Sequence, residues 1–187
     1  MGSLASKSNI NPDDIVFLTE NTQYNCRQVL EWFESFKREY PAGHLTQDQF
    51  VKMYSKFFPE GNSEDFCKHV FRVFDMNKNG VIEFREFLLA IDITSSIDPE
   101  KKLKCAFSLY DVNGNGVITK AEMEQVVTAL FKMRFSEKDE GLKEKISSKT
   151  SQMFSAMDLD KDGTISQDEF VAACNREKSI NELLQVI

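Results

Sequence analysis

The chain has 187 residues, of which 41% are hydrophobic and 28% are charged, and it carries a net charge of −7. These values are typical of a folded protein with a sizeable core, and the acidic balance argues against nucleic acid as a main partner. No run of about 18 apolar residues occurs, so the sequence predicts no membrane-spanning helix and no secretory signal. The four cysteines are widely spaced and only two histidines are present, which excludes zinc fingers and zinc proteases and indicates reduced thiols in a cytoplasmic protein.

The N-terminal arm, residues 1–22, begins Met-Gly-Ser-Leu-Ala-Ser. Gly2 followed by Ser6 matches M-G-x-x-x-[ST], the acceptor pattern for N-myristoylation after removal of Met1. A single acyl chain gives only marginal membrane affinity, on the order of 10⁴ M⁻¹, and Lys7 adds little basic support. The arm therefore predicts a covalent myristate on Gly2 and reversible, peripheral membrane binding.

Residues 38–49 are the first of four related 12-residue segments, and they have lost the residues that would bind a metal. The segment aligns with the later copies through Leu45 and keeps a glycine at position 6, Gly43. Arg38 places a cation at position 1, where a metal needs an anion, and Pro41 stiffens the turn. The sequence predicts that this first segment folds like the later copies but binds no metal.

Three later segments, at 75–86, 111–122 and 158–169, superpose without gaps. Each has Asp at position 1, Asn or Asp at positions 3 and 5, Gly at 6, Ile at 8 and Glu at 12. This is the EF-hand calcium loop, in which a short turn supplies six to eight oxygen ligands at about 2.3–2.6 Å. The predicted ligands, with a backbone carbonyl at position 7 of each loop, are Asp75, Asn77, Asn79, Val81, Glu83, Glu86, Asp111, Asn113, Asn115, Val117, Glu122, Asp158, Asp160, Asp162, Thr164 and Glu169.

Charge within the loops ranks the three predicted sites. The fourth loop presents four ligand carboxylates, the second presents three because Glu83 stands at position 9, and the third presents two. On charge alone the third site should be the weakest, although loop rigidity also tunes affinity. The acidic Glu83 also suits Mg²⁺, which we expect to occupy the second loop at rest.

The repeats predict an all-α fold in which four EF-hands form two pairs, with a short β-bridge between the loops of each pair. Apolar residues flank the loops at helical intervals, which accounts for the 16 phenylalanines. The charged segment 135–148 is expected to be a solvated linker. The predicted domains are the arm 1–22, an N-lobe 23–94, a C-lobe 99–176 and a C-terminal tail helix 177–187.

The tail carries an apolar stripe at i, i+3, i+4 and i+7: Ile180, Leu183, Leu184 and Ile187. The stripe indicates a two-turn helix. Two interpretations stay open, packing on the C-lobe or competition with a target helix for an apolar groove.

Several motifs resemble those of the neuronal calcium sensor family, which includes frequenin, hippocalcin, visinin-like proteins and recoverin. The matching features, which cover nearly the whole chain, are Gly2 with Ser6 and Lys7, Trp32 and Phe33 before Pro41 and Gly43, FFPEG at 57–61, HVFRVFD at 69–75, KLKCAFSLYDVNGNG at 102–116 and the three intact loops. Tyr40 and Gln49 depart from the usual first loop, Ser3 stands where some members have Lys, and the intact fourth loop differs from the recoverin pattern. The subfamily stays unresolved.

The resemblance implies a calcium–myristoyl switch, in which calcium extrudes the acyl chain and an apolar N-lobe groove binds a helix of a target protein. It implies the groove residues Trp32, Phe36, Phe50, Tyr54, Phe57, Phe58, Phe87 and Leu88. Each of these is also a plain core residue at helical spacing.

The leading functional hypothesis is a Ca²⁺ sensor that regulates a signalling enzyme, receptor kinase, cyclase or channel as a monomer or weak dimer. One alternative is a calcium buffer, whose hands barely open. Another is a permanently bound regulatory subunit similar to calcineurin B. No catalytic residue is predicted, because the carboxylates are committed to metal and no nucleophile–base pair or phosphate-binding loop occurs.

Overall fold

A computed structural model describes residues 10–57, 62–134 and 141–176. The helices are α1 Pro12–Asn21, α2 Cys26–Glu39, α3 Gln47–Tyr54, α4 Glu64–Phe74, α5 Phe84–Ser95, α6 Pro99–Tyr110, α7 Lys120–Arg134, α8 Leu142–Met157 and α9 Gln167–Arg176, and the strands are β1 His44–Thr46, β2 Val81–Glu83, β3 Val117–Thr119 and β4 Thr164–Ser166. None of the helices in the described ranges is long and apolar enough to cross a membrane. The predicted all-α EF-hand fold is confirmed.

The loops pair through two short antiparallel strand pairs. Leu45 lies opposite Ile82 where β1 meets β2, and Ile118 lies opposite Ile165 where β3 meets β4. All four side chains are at most 1% exposed. The isoleucine at position 8 of each loop, or Leu45 in the first, therefore connects the loop backbone to the core, as the alignment predicts.

The chain forms two compact units, and each contains one strand pair. The first comprises the residues up to Gln47 together with Phe74–Ser95, and the second comprises Asp48–Val73 together with the residues from Ser96. Helices α3 and α4 thus group with α6–α9, which differs from the lobe boundaries predicted from the sequence. Edge-to-face aromatic pairs lie in both cores, with ring centroids 5.0 Å apart for Phe33 and Phe84 and 5.7 Å apart for Phe107 and Phe170.

Helix α1 lies inside the segment that the sequence analysis treats as an arm. Its start is well specified, because the Asn11 side chain accepts a hydrogen bond from the Asp13 N–H at 3.1 Å and Pro12 occupies the first turn. Leu18 is fully buried, and the helix packs on α2 and α5. The Arg85 guanidinium lies 3.5 Å from the centre of the Phe17 ring and 3.6 Å from Asp14, which ties α1 to the end of the second loop.

Part of the predicted linker is helical, so that prediction is wrong for residues 142–148. Helix α8 begins at Leu142, after Gly141 with φ +84°. Leu142 and Ile146 lie four residues apart on the helix, and Ile146 is only 5% exposed because α8 packs on α7. Residues 135–140 lie outside the described residues, as do Gly2, Phe58 and the predicted tail helix.

Candidate metal centres

The second loop folds its acidic residues inward. Asp75 lies at the end of α4, 8% exposed, and its carboxylate accepts the N–H groups of Asn79 at 3.0 Å and Gly80 at 2.9 Å. Gly80 has φ +84°, the left-handed conformation that a side chain would strain. These bonds wrap the turn around the first carboxylate.

Glu86 closes the second loop from the first turn of α5. One carboxylate oxygen accepts the Asn77 N–H at 3.1 Å, and the other accepts the Glu83 N–H at 3.1 Å. The Glu83 side chain accepts a hydrogen bond from the Asn77 amide at 3.3 Å. Glu86 is only 6% exposed, and its carboxylate ties the backbone at position 3 of this loop to the backbone at position 9.

The third loop repeats the arrangement with fewer acids. Asp111, which is 6% exposed, accepts the N–H groups of Asn115 at 3.1 Å and Gly116 at 2.9 Å. Glu122 accepts the Asn113 N–H at 3.2 Å and the Thr119 hydroxyl at 2.7 Å. Burial raises the pKa of Glu122, but these hydrogen bonds outweigh burial and leave the pKa below its ordinary value.

The fourth loop gathers the most carboxylates. Asp158, Asp160 and Asp162 each bring a carboxylate oxygen into a group whose members lie within 4.8 Å of one another. Asp158 accepts the Gly163 N–H at 3.2 Å through one oxygen, whereas its Oδ1 is buried and has no hydrogen-bond partner within the described ranges. Since a buried carboxylate oxygen is costly unless paired or bound to a metal, this oxygen makes the interior of the loop a candidate cation site.

Glu169 closes the fourth loop in the same way as Glu122 closes the third. It accepts the Ser166 N–H at 2.8 Å and the Ser166 hydroxyl at 2.7 Å, and its other oxygen accepts the Leu159 N–H at 3.0 Å. Hydrogen bonds from Ser166 are the main cause that lowers the pKa of Glu169. Both closing glutamates are therefore held in the anionic form that a cation requires.

The donor set in all three loops fits calcium. Carboxylate and amide oxygens are the ligands that this hard cation prefers, and position 7 begins a strand in each loop, at Val81, Val117 and Thr164. The N–H of each position-7 residue is bonded to the side chain at position 5, at 3.0, 3.1 and 2.7 Å respectively. The loops thus share the turn between positions 5 and 7 and the side-chain hydrogen bond that holds it.

Comparison with known proteins agrees with this geometry. The family described as an EF-hand domain pair matches residues 41–90 and 100–175. S-modulin from Aquarana catesbeiana is 38% identical over 88% of this chain and 83% of its own length, and human recoverin is 37% identical over 88% and 84%. Neuronal calcium sensor 1 from Lymnaea stagnalis is 36% identical over 98% and 96%. The chain belongs to the neuronal calcium sensor family.

As a family member the chain is a calcium-binding sensor, yet its first loop carries no acid at a ligand position. Lys37, next to the loop, donates to the Pro41 carbonyl at 3.1 Å. Tyr40, at ligand position 3, is 8% exposed and packs with its ring 5.1 Å from that of Phe36. A residue that serves the core thus stands where a ligand would be.

The groove residues that the resemblance implies are largely buried in this structure of the sensor. Within the first unit Phe36 and Leu88 are core residues, and Trp32 and Phe87 are half-buried with ring centroids 6.1 Å apart. In the second unit the half-buried Tyr54 stacks on the buried Phe50 at 5.8 Å. The side chain of Phe57 is not described, and Phe58 lies outside the described residues.

Two features of the sites were missed from the sequence. Ser166 is bonded to Glu169 in a Ser-x-x-Glu pattern, and Thr119 is bonded to Glu122 in a Thr-x-x-Glu pattern. This is the capping-box spacing and could have been recognised. The second feature is a set of three hydrogen bonds from Arg72 to the end of α6, which no local pattern indicates because the partners lie 36 to 39 residues away.

Proposed function

We propose that Ca²⁺ binds to the second, third and fourth loops of this sensor and that binding releases a myristoyl group on Gly2 and opens an apolar groove. The observation that carries the proposal is the unpartnered, buried Oδ1 of Asp158 among the convergent carboxylates of Asp160 and Asp162. In the other two loops the same hydrogen bonds run from loop amides to the Asp at position 1 and the Glu at position 12, which supports a site in each of them. Three ions would be held by the sixteen predicted ligands, and their positive charge would neutralise the carboxylates in each loop.

The closing glutamates connect the ion to helix movement. Glu86, Glu122 and Glu169 lie in the first turns of α5, α7 and α9. A glutamate that binds an ion draws its helix toward the loop, and in sensor EF-hands the helix pair then opens and exposes apolar surface. The aromatic side chains of the first unit, including Phe36 and Phe87 with ring centroids 4.9 Å apart, would supply that surface to a target helix.

Calcium would also favour membrane association through charge. Three ions add six positive charges, which would bring the net charge from −7 to about −1 and reduce repulsion from an anionic leaflet. With one acyl chain the binding stays reversible. The protein would be cytoplasmic at low calcium, with Mg²⁺ in the second loop, and peripheral on the membrane at high calcium, acting on its target as a monomer or weak dimer.

The switch is tested by co-sedimentation of acylated protein with anionic vesicles at low and high calcium, with Gly2→Ala as the unacylated control. We expect the acylated protein to move to the vesicle fraction only with calcium and the control to stay in solution. Equal behaviour of both proteins at both calcium levels would refute the switch.

The three-site assignment has its own readout. Gly80, Gly116 and Gly163 each donate an N–H to the first Asp of their own loop, so their amide NMR signals report one site each. All three signals should shift during a calcium titration, and the apolar dye response should rise with them. Calcium binding without a change in dye response would favour the buffer instead.

A further inference from the structure

Arg72 makes an unusual contact near the end of α4. Its guanidinium donates to the backbone carbonyls of Ser108 at 3.1 Å, Leu109 at 2.8 Å and Asp111 at 3.0 Å. The side chain is half-buried, and its buried Nε has no hydrogen-bond partner in the part of the chain that the structure describes. Among the described residues it forms no direct ion pair, so its hydrogen-bond partners are the carbonyls at the end of a helix, while the charges of Asp111 and Glu122 act on it without direct contact.

The carbonyls that Arg72 binds belong to the last turn of α6 and to the residue that caps it. The final carbonyls of a helix have no partners within the helix, and a cation there is favoured by the helix dipole. Arginine presents several N–H donors in a rigid fork, whereas lysine presents one rotatable point charge. Arg72 therefore fixes both the position and the direction of the end of α6.

Asp111 makes this contact relevant to metal binding, since it is the first residue of the third loop. Its backbone carbonyl is held by Arg72, and its side chain accepts the Gly116 N–H at 2.9 Å inside the loop. The third loop also has the fewest ligand carboxylates, so its affinity depends most on how well its oxygens are placed beforehand.

We propose that Arg72 is a positioning residue for the third calcium site: a side chain of the helix that leads into the second hand holds the first ligand of the third hand in place and raises the site's affinity. The inference rests on the proposed function, in that the third loop must bind calcium. It goes further because it assigns part of this site to a residue outside the third hand.

Two effects of Arg72 have opposite signs, which makes the proposal testable. A guanidinium near Asp111 and Glu122 repels an incoming cation, so removing its charge would strengthen binding. Loss of positioning would weaken binding. Arg72→Lys keeps the charge and loses the fork, and Arg72→Met loses both, so positioning predicts weaker binding in both variants, whereas repulsion alone predicts stronger binding in Arg72→Met and no change in Arg72→Lys.

The experiment is a calcium titration of the full-length protein, followed through the amide signals of Gly80, Gly116 and Gly163. In both variants we expect the Gly116 midpoint to move to about tenfold higher calcium, as expected for the loss of charge-assisted hydrogen bonds. The Gly80 midpoint should stay within about twofold, which a general loss of stability would not produce.

Arg176→Met is the matched control, because Arg176, counted over the described residues, donates to one carbonyl, that of Ala156 at 3.0 Å, from an exposed position. It should leave the Gly116 midpoint unchanged. An unchanged or lower Gly116 midpoint in both Arg72 variants overturns the inference and leaves the proposed function intact. A Gly116 signal that ignores calcium in the unmodified protein overturns the third site and the inference together.

Discussion

The first and second loops lie side by side in one unit and share a backbone plan, yet only the second gathers acids. Leu45 and Ile82 pair across the β-bridge, and Gly43 and Gly80 have φ angles of +85° and +84° at the same loop position. At position 1, however, Arg38 is exposed, whereas Asp75 is buried and bonded to the loop amides. The turn and the strand pairing therefore do not depend on the metal ligands.

The difference shows that an EF-hand has two separable requirements. The glycine turn and the position-8 apolar residue build the scaffold, and the side chains at positions 1, 3, 5 and 12 provide the charge. In the first loop Tyr40 stands at ligand position 3, but its side chain packs against Phe36 and provides no charge. The first loop is thus a structural partner that pairs with the strand of the second loop where Ile82 is buried.

The largest effect should come from the closing glutamate. Glu122→Gln removes the carboxylate that accepts the Thr119 and Asn113 hydrogen bonds, so calorimetry should find two calcium equivalents in place of three. The matched change in the first loop, Gln49→Glu, should leave three. A fourth equivalent in Gln49→Glu would show that the first loop is one residue away from function and would break the comparison.

Tyr40→Asp should place a ligand-type residue at position 3 of the first loop and lower the stability of the core. Tyr40 is 8% exposed, so the change removes ring packing and buries a carboxylate, and we expect unfolding in urea to require about 3 kcal/mol less. Arg38→Asp, at an exposed position, should change stability by at most about 0.5 kcal/mol. Equal effects of the two changes would contradict the packing role.

The position-6 glycines offer a comparison of intermediate size. A Cβ at Gly116 meets no atom within 4 Å, so Gly116→Ala is penalised only by its φ of +89°. Gly43→Ala has the same backbone penalty, about 1–2 kcal/mol in the calcium-free protein. Only Gly116→Ala should also weaken calcium binding, as read from the third-site titration, and a weakened site in Gly43→Ala would tie the first loop to binding.

The smallest effect should be that of Lys37→Met. The ammonium donates to the Pro41 carbonyl at 3.1 Å in an exposed setting, where such bonds contribute little. Thermal unfolding should change by less than about 0.5 kcal/mol and calcium stoichiometry should not change. A gain of calcium binding would show that the Lys37 ammonium takes the place of a metal ion at the first loop.

Predictions from the sequence were most accurate for the loops, where metal binding dictates the spacing of residues. The loop folds, including that of the first copy, and the Leu45–Ile82 and Ile118–Ile165 pairs are confirmed, because a cation-binding loop imposes fixed distances along a short stretch of chain. That the first copy binds no metal stays a prediction. The individual ligands stay predictions. Helix α1 was missed although Asn11 and Pro12 mark its start, because the whole of residues 1–22 was interpreted as an arm that carries a myristoylation signal.

The long-range features could not be read from the sequence. The burial of Ile146 in α8 and the hydrogen bonds from Arg72 to α6 depend on which helices meet, which no local pattern contains. The grouping of α3 and α4 with the later helices has the same origin. Apolar periodicity likewise marks Phe36 and Leu88 as inward-facing but does not distinguish a core from a groove.

The stacking of Arg85 on Phe17 places the N-terminal helix against the residue that directly precedes the closing Glu86. If calcium binding at Glu86 moves Arg85, then calcium and the docking of α1 are coupled. Coupling free energies between two binding events are reciprocal. A bilayer or protein that pulls α1 away from Arg85 would therefore change the calcium affinity of the second loop by the same factor by which calcium changes the hold on α1. Docking of the N-terminal helix would then shift the calcium concentration at which the second loop fills.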